Sequence, residues 1–182
     1  MAPSLAKSNT PIIFSLFLLS IIIAFPAAAQ GDQPQETNFV VFFHITFKGP
    51  DNVTDVAVAG VPGEAWRHNA FGTIFVNDNY MTETMDRNSP KIGHGHGIYV
   101  VSTMDASSLL ISESLWFTGG EYRDSTLELH GTSFLTLKYR EIGVVAGTGK
   151  FRFVRGYATF ETVLVDIIAG HATVRVNLTL LQ

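Results

Sequence analysis

The chain has 182 residues, of which 46% are hydrophobic, 15% are charged and 14 are phenylalanine. This excludes a disordered chain and fits one ordinary domain plus a short extra segment. Its net charge of −4 excludes the basic footprint of a nucleic-acid binder and gives no attraction to an anionic membrane surface. There is no cysteine, so disulfides, thiol nucleophiles and zinc–thiolate sites are excluded and the fold must rest on packing and on oligomerisation.

At the N-terminus Lys7 precedes an apolar run, Ile12 to Phe25, and then Pro26-Ala27-Ala28-Ala29. The run is shorter than the roughly 20 residues of a spanning helix. It therefore predicts a secretory signal peptide over 1–29, cleaved after Ala29. Residues 30–37 are polar and contain Gly, Pro and Gln, the composition of a mobile arm, which leaves 38–182 as the domain.

The domain reads as short segments with a period of two. Phe39, Val41, Phe43, Ile45 and Phe47 share one face of the first. Phe71–Asp78, Gly97–Thr103, Leu109–Phe117, Thr126–His130, Phe134–Arg140 and Phe151–Val163 follow. The last puts Val174, Val176, Leu178 and Leu180 on one face. Turn signals separate them at Lys48-Gly49-Pro50-Asp51-Asn52, Thr118-Gly119-Gly120 and Gly147-Thr148-Gly149. About eight strands at such spacing predict an all-β sandwich or closed barrel, and an eight-stranded barrel is wide enough for one small ligand.

Glu113 lies on the apolar face formed by Leu109, Ile111, Leu115 and Phe117. A carboxyl in such a setting has a raised pKa and serves as an acid; the plainer alternative is an exposed edge or a subunit contact. His94 and His96 are two apart, so they share a strand face. They are read as polar rim residues, with no third ligand specified by spacing and no metal expected. Gly147-Thr148-Gly149-Lys150 lacks the rest of a phosphate loop and reads as a tight turn. Two sequons, Asn52-Val53-Thr54 and Asn177-Leu178-Thr179, are candidate glycosylation sites, while Asn88-Ser89-Pro90 is excluded by its proline.

Several segments together resemble the plant dirigent family. They are Gly97-Ile98-Tyr99-Val100-Val101-Ser102, Phe117-Thr118-Gly119-Gly120-Glu121-Tyr122 and, at greatest length, Arg140 through Tyr157. The resemblance implies an eight-stranded antiparallel β-barrel of the dirigent and allene-oxide-cyclase type with a central ligand cavity, usually trimeric. It implies work in the apoplast on phenolic intermediates, without a cofactor. In some members an external laccase or peroxidase makes phenoxy radicals whose coupling, as in lignan formation, is steered. In others, the pterocarpan synthase type, a lyase converts an isoflavanol through a quinone methide. A cell-wall or defence binding protein is a third expectation. By resemblance Tyr99 and Arg140 fall at pocket positions that hydrogen-bond the ligand. The family's two pocket acids fall at Ile45 and Ser133, and a second pocket tyrosine at Val101. The usual acid pair is thus absent, which leaves Glu113 or His44 to replace it, although strand alternation points His44 away from the Ile45 face.

Overall fold

The computed structural model describes residues 34–49 and 52–182, so the expected signal segment lies outside the described residues. Nine strands form one antiparallel sheet: β1 (Glu36–Thr46), β2 (Asp55–Ala59), β3 (Ile74–Thr82), β4 (Lys91–Val101), β5 (Ser108–Phe117), β6 (Thr126–Phe134), β7 (Arg140–Gly147), β8 (Arg155–Asp166) and β9 (His171–Leu181). Neighbours run from β3 in sequence order to β9, then to β1, and β1 returns to β3, which closes the barrel. The eighth position is filled by two strands in series. Phe42–His44 of β1 pair with Tyr80–Thr82 of β3, and β2 takes over further along the same β3 edge, Asp55 opposite Asn77 and Ala57 opposite Phe75. The two strands are brought together where Thr54 N donates to Thr46 O (2.8 Å) and Asp78 N to Thr54 O (2.8 Å).

Alternation decides what is inside. Val41 and Phe43, Leu115 and Phe117, Leu127 and Leu129, and Val174, Val176, Leu178 and Leu180 are buried in one core. Removing that apolar surface from water is the main force holding the sheet closed, at about 25 cal/mol per Å². The end of the barrel where β5 finishes is sealed by aromatics. Phe39 stacks on Tyr122 (4.8 Å) and Phe151 (5.9 Å), and Phe117 meets Phe39 edge-on at 6.0 Å.

Five expectations are corrected. The arm ends earlier, since β1 starts at Glu36 and Gln35 exchanges backbone hydrogen bonds with Gln182 (2.8 and 3.1 Å). Phe134–Arg140 is not one strand. Phe134 ends β6, Arg140 begins β7, and residues 135–139 connect them, with Leu137 N bonded to Phe134 O and the apolar side chains Leu135, Leu137 and Tyr139 40–54% exposed. The segment read as Phe151–Val163 begins as a 3₁₀ turn over Gly149–Phe151. Phe153 then adopts a left-handed φ of 67°, so extended structure resumes only at Arg155. β3 starts at Ile74 and runs on to Thr82. β4 starts at Lys91, which places His94 and His96 within it. β2 had no counterpart in the sequence reading.

Candidate functional site

A cavity of about 200 Å³ opens at the other end of the barrel, where β5 begins. Its wall takes one or two inward residues from most of the strands. Phe43 and Ile45 come from β1, Asp55 from β2, Asn77 from β3, Tyr99 from β4, Ile111 and Glu113 from β5, and Ser133 from β6. Arg140 comes from β7, Phe160 from β8 and Val174 from β9. These positions follow from the period of two: once Phe43 and Val41 face the core, Ile45 must as well, and Glu113 must follow Leu115. Room for the carboxyl is left by Gly95 on β4. A Cβ there would lie 2.7 Å from the Phe43 ring and 3.0 Å from Glu113 Oε1.

Glu113 is a buried carboxyl on the otherwise apolar inner face of β5. It is 7% exposed and accepts a hydrogen bond from Asn77 Nδ2 at 3.2 Å. Burial pushes its pKa up to about 7, the Asp55 charge adds to the rise, and the Asn77 bond opposes it. Glu113 is thus buried, and the alternative of an exposed edge is corrected. Tyr99 donates its hydroxyl to Asp55, 2.8 Å from both carboxylate oxygens. Burial first, and then the neighbouring Asp55 charge, raise the Tyr99 pKa far above that of a free phenol, so it remains a donor. Arg140 gives one guanidinium hydrogen to Thr162 Oγ1 (2.8 Å), and burial lowers its pKa. Its Nε and the Oδ1 of Asn77 are buried atoms without a partner. Both residues line the same cavity. Buried polar atoms are nearly always bonded, so such a pair marks where a guest would complete the network. The donor at Arg140 suits a guest oxygen. The amide of Asn77 suits a hydroxyl.

Five of the positions singled out from sequence line this one cavity: Ile45, Tyr99, Glu113, Ser133 and Arg140. Two do not. Val101 faces inward but is fully buried in the core and does not line the cavity. His44 is also fully buried, but on the other side of the wall. There Thr82 Oγ1 gives its proton to Thr84 O (2.6 Å) and so accepts from His44 Nε2–H at 2.7 Å. The ring stacks on Tyr80 (4.9 Å), and burial with the nearby Arg87 charge lowers its pKa to about 4. A neutral imidazole behind the wall is structural, so His44 is removed from the acid candidates. Asp55 was missed. Its signal was the alternation of Asp55, Ala57 and Ala59 against Val56 and Val58, five residues long and with the larger apolar side chains outside, where Val56 and Val58 are 47–48% exposed.

Two larger depressions, of about 490 and 570 Å³, lie on the outer wall beside His94. His94 Nδ1 is 2.9 Å from Asp78 Oδ1, and no group of three or more metal-ligating side chains occurs among the described residues. The buried carboxyls and unpaired polar atoms are gathered in the smaller cavity instead. Of the sequon residues, Asn52 is exposed at a left-handed φ of 62° in the β1–β2 excursion, and Asn177 lies half-buried on β9.

Comparison with known proteins agrees with this geometry. A family model described as "Dirigent-like protein" matches residues 36–181. Dirigent protein 23 of Arabidopsis thaliana is 33% identical over 181 residues, covering 92% of this chain and 96% of that one. Pterocarpan synthase 1 of Glycine max is 30% identical over 168 residues, covering 91% and 90%. The solved structure of the pterocarpan synthase dirigent protein GePTS1 superposes with a TM-score of 0.74 at 30% identity, over 84% of this chain and 88% of that one.

Proposed function

The chain belongs to the dirigent family, and from that premise we propose that its cavity holds one phenolic intermediate and sets the stereochemistry of the next bond while Glu113 supplies a proton. The observation that carries this reading is the Glu113 carboxyl, buried, bonded to Asn77 and facing the cavity, where burial pushes its pKa up to about 7. A quinone methide is activated when its carbonyl oxygen is protonated. An acid that is still protonated near neutral pH is matched to that step, and such general acids are typically worth about 10²–10⁴-fold. Ile45 and Ser133 stand where the family's acids are expected, and Glu113 takes over the task from a neighbouring strand. Tyr99 and Arg140 orient the guest oxygens. The aromatic and aliphatic wall, Phe43, Phe160 and Ile45, screens one face. A preference of about 1.4 kcal/mol between the two faces suffices for tenfold selectivity.

The intermediate has two possible origins. In the first, a secreted laccase or peroxidase generates phenoxy radicals in the apoplast, and the protein, a homotrimer there, steers their coupling product. In the second, the protein itself dehydrates an isoflavanol, acting as a lyase; the presence of an acid in the cavity favours giving this route equal weight. Chiral chromatography separates them. Coniferyl alcohol with a laccase is expected to give an enantiomeric excess only when the protein is added. An isoflavanol without oxidant is expected to cyclise faster with the protein if the lyase route holds. Glu113→Gln should cut either effect at least tenfold. Racemic products at unchanged rates in both assays refute the proposal.

A further inference from the structure

Asp55 reaches the cavity only because β2 replaces β1 along the β3 edge, and it arrives beside a histidine at the cavity rim. His68, in the loop between β2 and β3, places its Nε2 3.6 Å from Asp55 Oδ2. The Asp55 side chain is 8% exposed and that of His68 is 56% exposed, so the pair spans the boundary between cavity and solvent. The imidazole is held there by Phe75 (ring centroids 4.2 Å apart), which in turn stacks on Tyr99 at 4.8 Å. The loop itself is fixed at its start: the Trp66 indole lies over Gly60 so closely that a Cβ at that position would run into it. On the inner side Asp55 takes the Tyr99 hydroxyl on both oxygens.

Building on the reading above, we propose that His68, Asp55 and Tyr99 form a second proton-handling site, in which Asp55 is the base that receives the guest's hydroxyl proton and His68 connects it to solvent. The charged and titratable groups around Asp55 are Tyr99 on β4, Glu113 on β5, Arg140 on β7 and His68 on the loop. The step balances. Glu113 gives its proton to the carbonyl oxygen of a quinone methide. A hydroxyl oxygen of the same guest bonds to the methide carbon, and its O–H bond breaks as Asp55 takes the proton. No proton is gained or lost overall, and no oxidant is needed. Asp55 then releases its proton through the His68 imidazole to water, and Glu113 is reprotonated. The site selects for guests with two oxygens: an acceptor at the Arg140 and Glu113 side and a free hydroxyl at the Asp55 side. A guest with that second hydroxyl methylated binds poorly.

The test uses the full mature protein and has two arms. In the first, binding of the unreactive probe 4-propylphenol and of its methyl ether, 4-propylanisole, is measured by calorimetry. The phenol is expected to bind at least tenfold tighter than the ether, and Asp55→Asn should erase that difference while the melting temperature is held as a control for folding. Equal binding of the two by the unaltered protein overturns the base role of Asp55. In the second, exchange of the His68 Nε2–H proton with water is measured by NMR. Asp55→Asn should speed it at least threefold, because the carboxylate beside that nitrogen is gone. A rate unchanged in that variant overturns the connection. Should neither compound bind while the His68 exchange responds as expected, the phenolic-guest reading and the base role fail together and the Asp55–His68 coupling stands alone.

Discussion

The two ends of the barrel are walled by the same eight strand positions, and β5 shows the contrast within ten residues. Toward its finish, Leu115 and Phe117 are buried against Phe39, Tyr122 and Phe151, rings 4.7 to 6.0 Å apart. Toward its start, Ile111 and Glu113 face a hollow. Close packing at one end gathers dispersion and apolar burial where nothing has to enter. At the other, the fold tolerates a void, a buried carboxyl and two polar atoms without partners, each of which costs stability. The difference teaches that the closed end supplies the margin on which the open end draws.

The largest effect should come from the closed end. Phe117→Ala is expected to destabilise the protein by about 4 kcal/mol, the usual range for a buried phenylalanine. Ile45→Ala, on the cavity wall, removes fewer contacts and should cost about 2 kcal/mol. Equal losses in denaturant unfolding would break the comparison.

Next comes the titration of the open end. Glu113 has its folded pKa raised from the ordinary 4.5 to about 7. The folded state therefore binds more protons in that window. Stability is full below pH 4.5 and is lost as pH rises through 7, by up to about 3 kcal/mol. Glu113→Gln should remove that slope and leave the protein more stable than the parent above pH 7, as unfolding midpoints at pH 5 and 8 would reveal.

The third effect sharpens the contrast between inside and outside the wall. His44 has its folded pKa lowered from 6.5 to about 4. Stability is full above pH 6.5 and is lost as pH falls toward 4, about 2 kcal/mol of it by pH 5. Its slope thus opposes that of Glu113 between pH 4.5 and 6.5, and the parent curve should be nearly flat there. His44→Asn should expose a curve that falls monotonically with rising pH. A curve unchanged by either substitution would show that neither group titrates as its surroundings require.

Much of this was legible in the sequence because alternation carries faces. Once Phe39, Val41 and Phe43 are inside, Ile45 is too, and Glu113 stands out as the one charge on the face of Leu115 and Phe117. Legibility ends where alternation reverses its meaning. In β2 the valines point to solvent, and the inward face offers only Asp55, Ala57 and Ala59, so a hydrophobic pattern finds nothing to anchor. At Leu135, Leu137 and Tyr139 apolar residues sit in an exposed connection, and a strand was read from side chains that bury little. His44 was correctly turned away from Ile45 by parity. Its burial on the far side was not readable, since it depends on Tyr80, Thr82 and Arg87, which lie 36 to 43 positions away in the chain.

The closure of the barrel has a consequence for how a guest gains entry. β1 is joined to β9 along its whole length, Glu36–Thr46, but to β3 only through Phe42–His44. A cylinder zipped over so short a stretch is easiest to part there. The amides along that stretch should be the first of the wall to exchange with deuterium, well before those shared by β8 and β9. The parting line runs directly to the point where β2 takes over with Asp55. Guest arrival would then be timed by the breathing of this seam, so that the rate of capture and the affinity can be tuned by different residues.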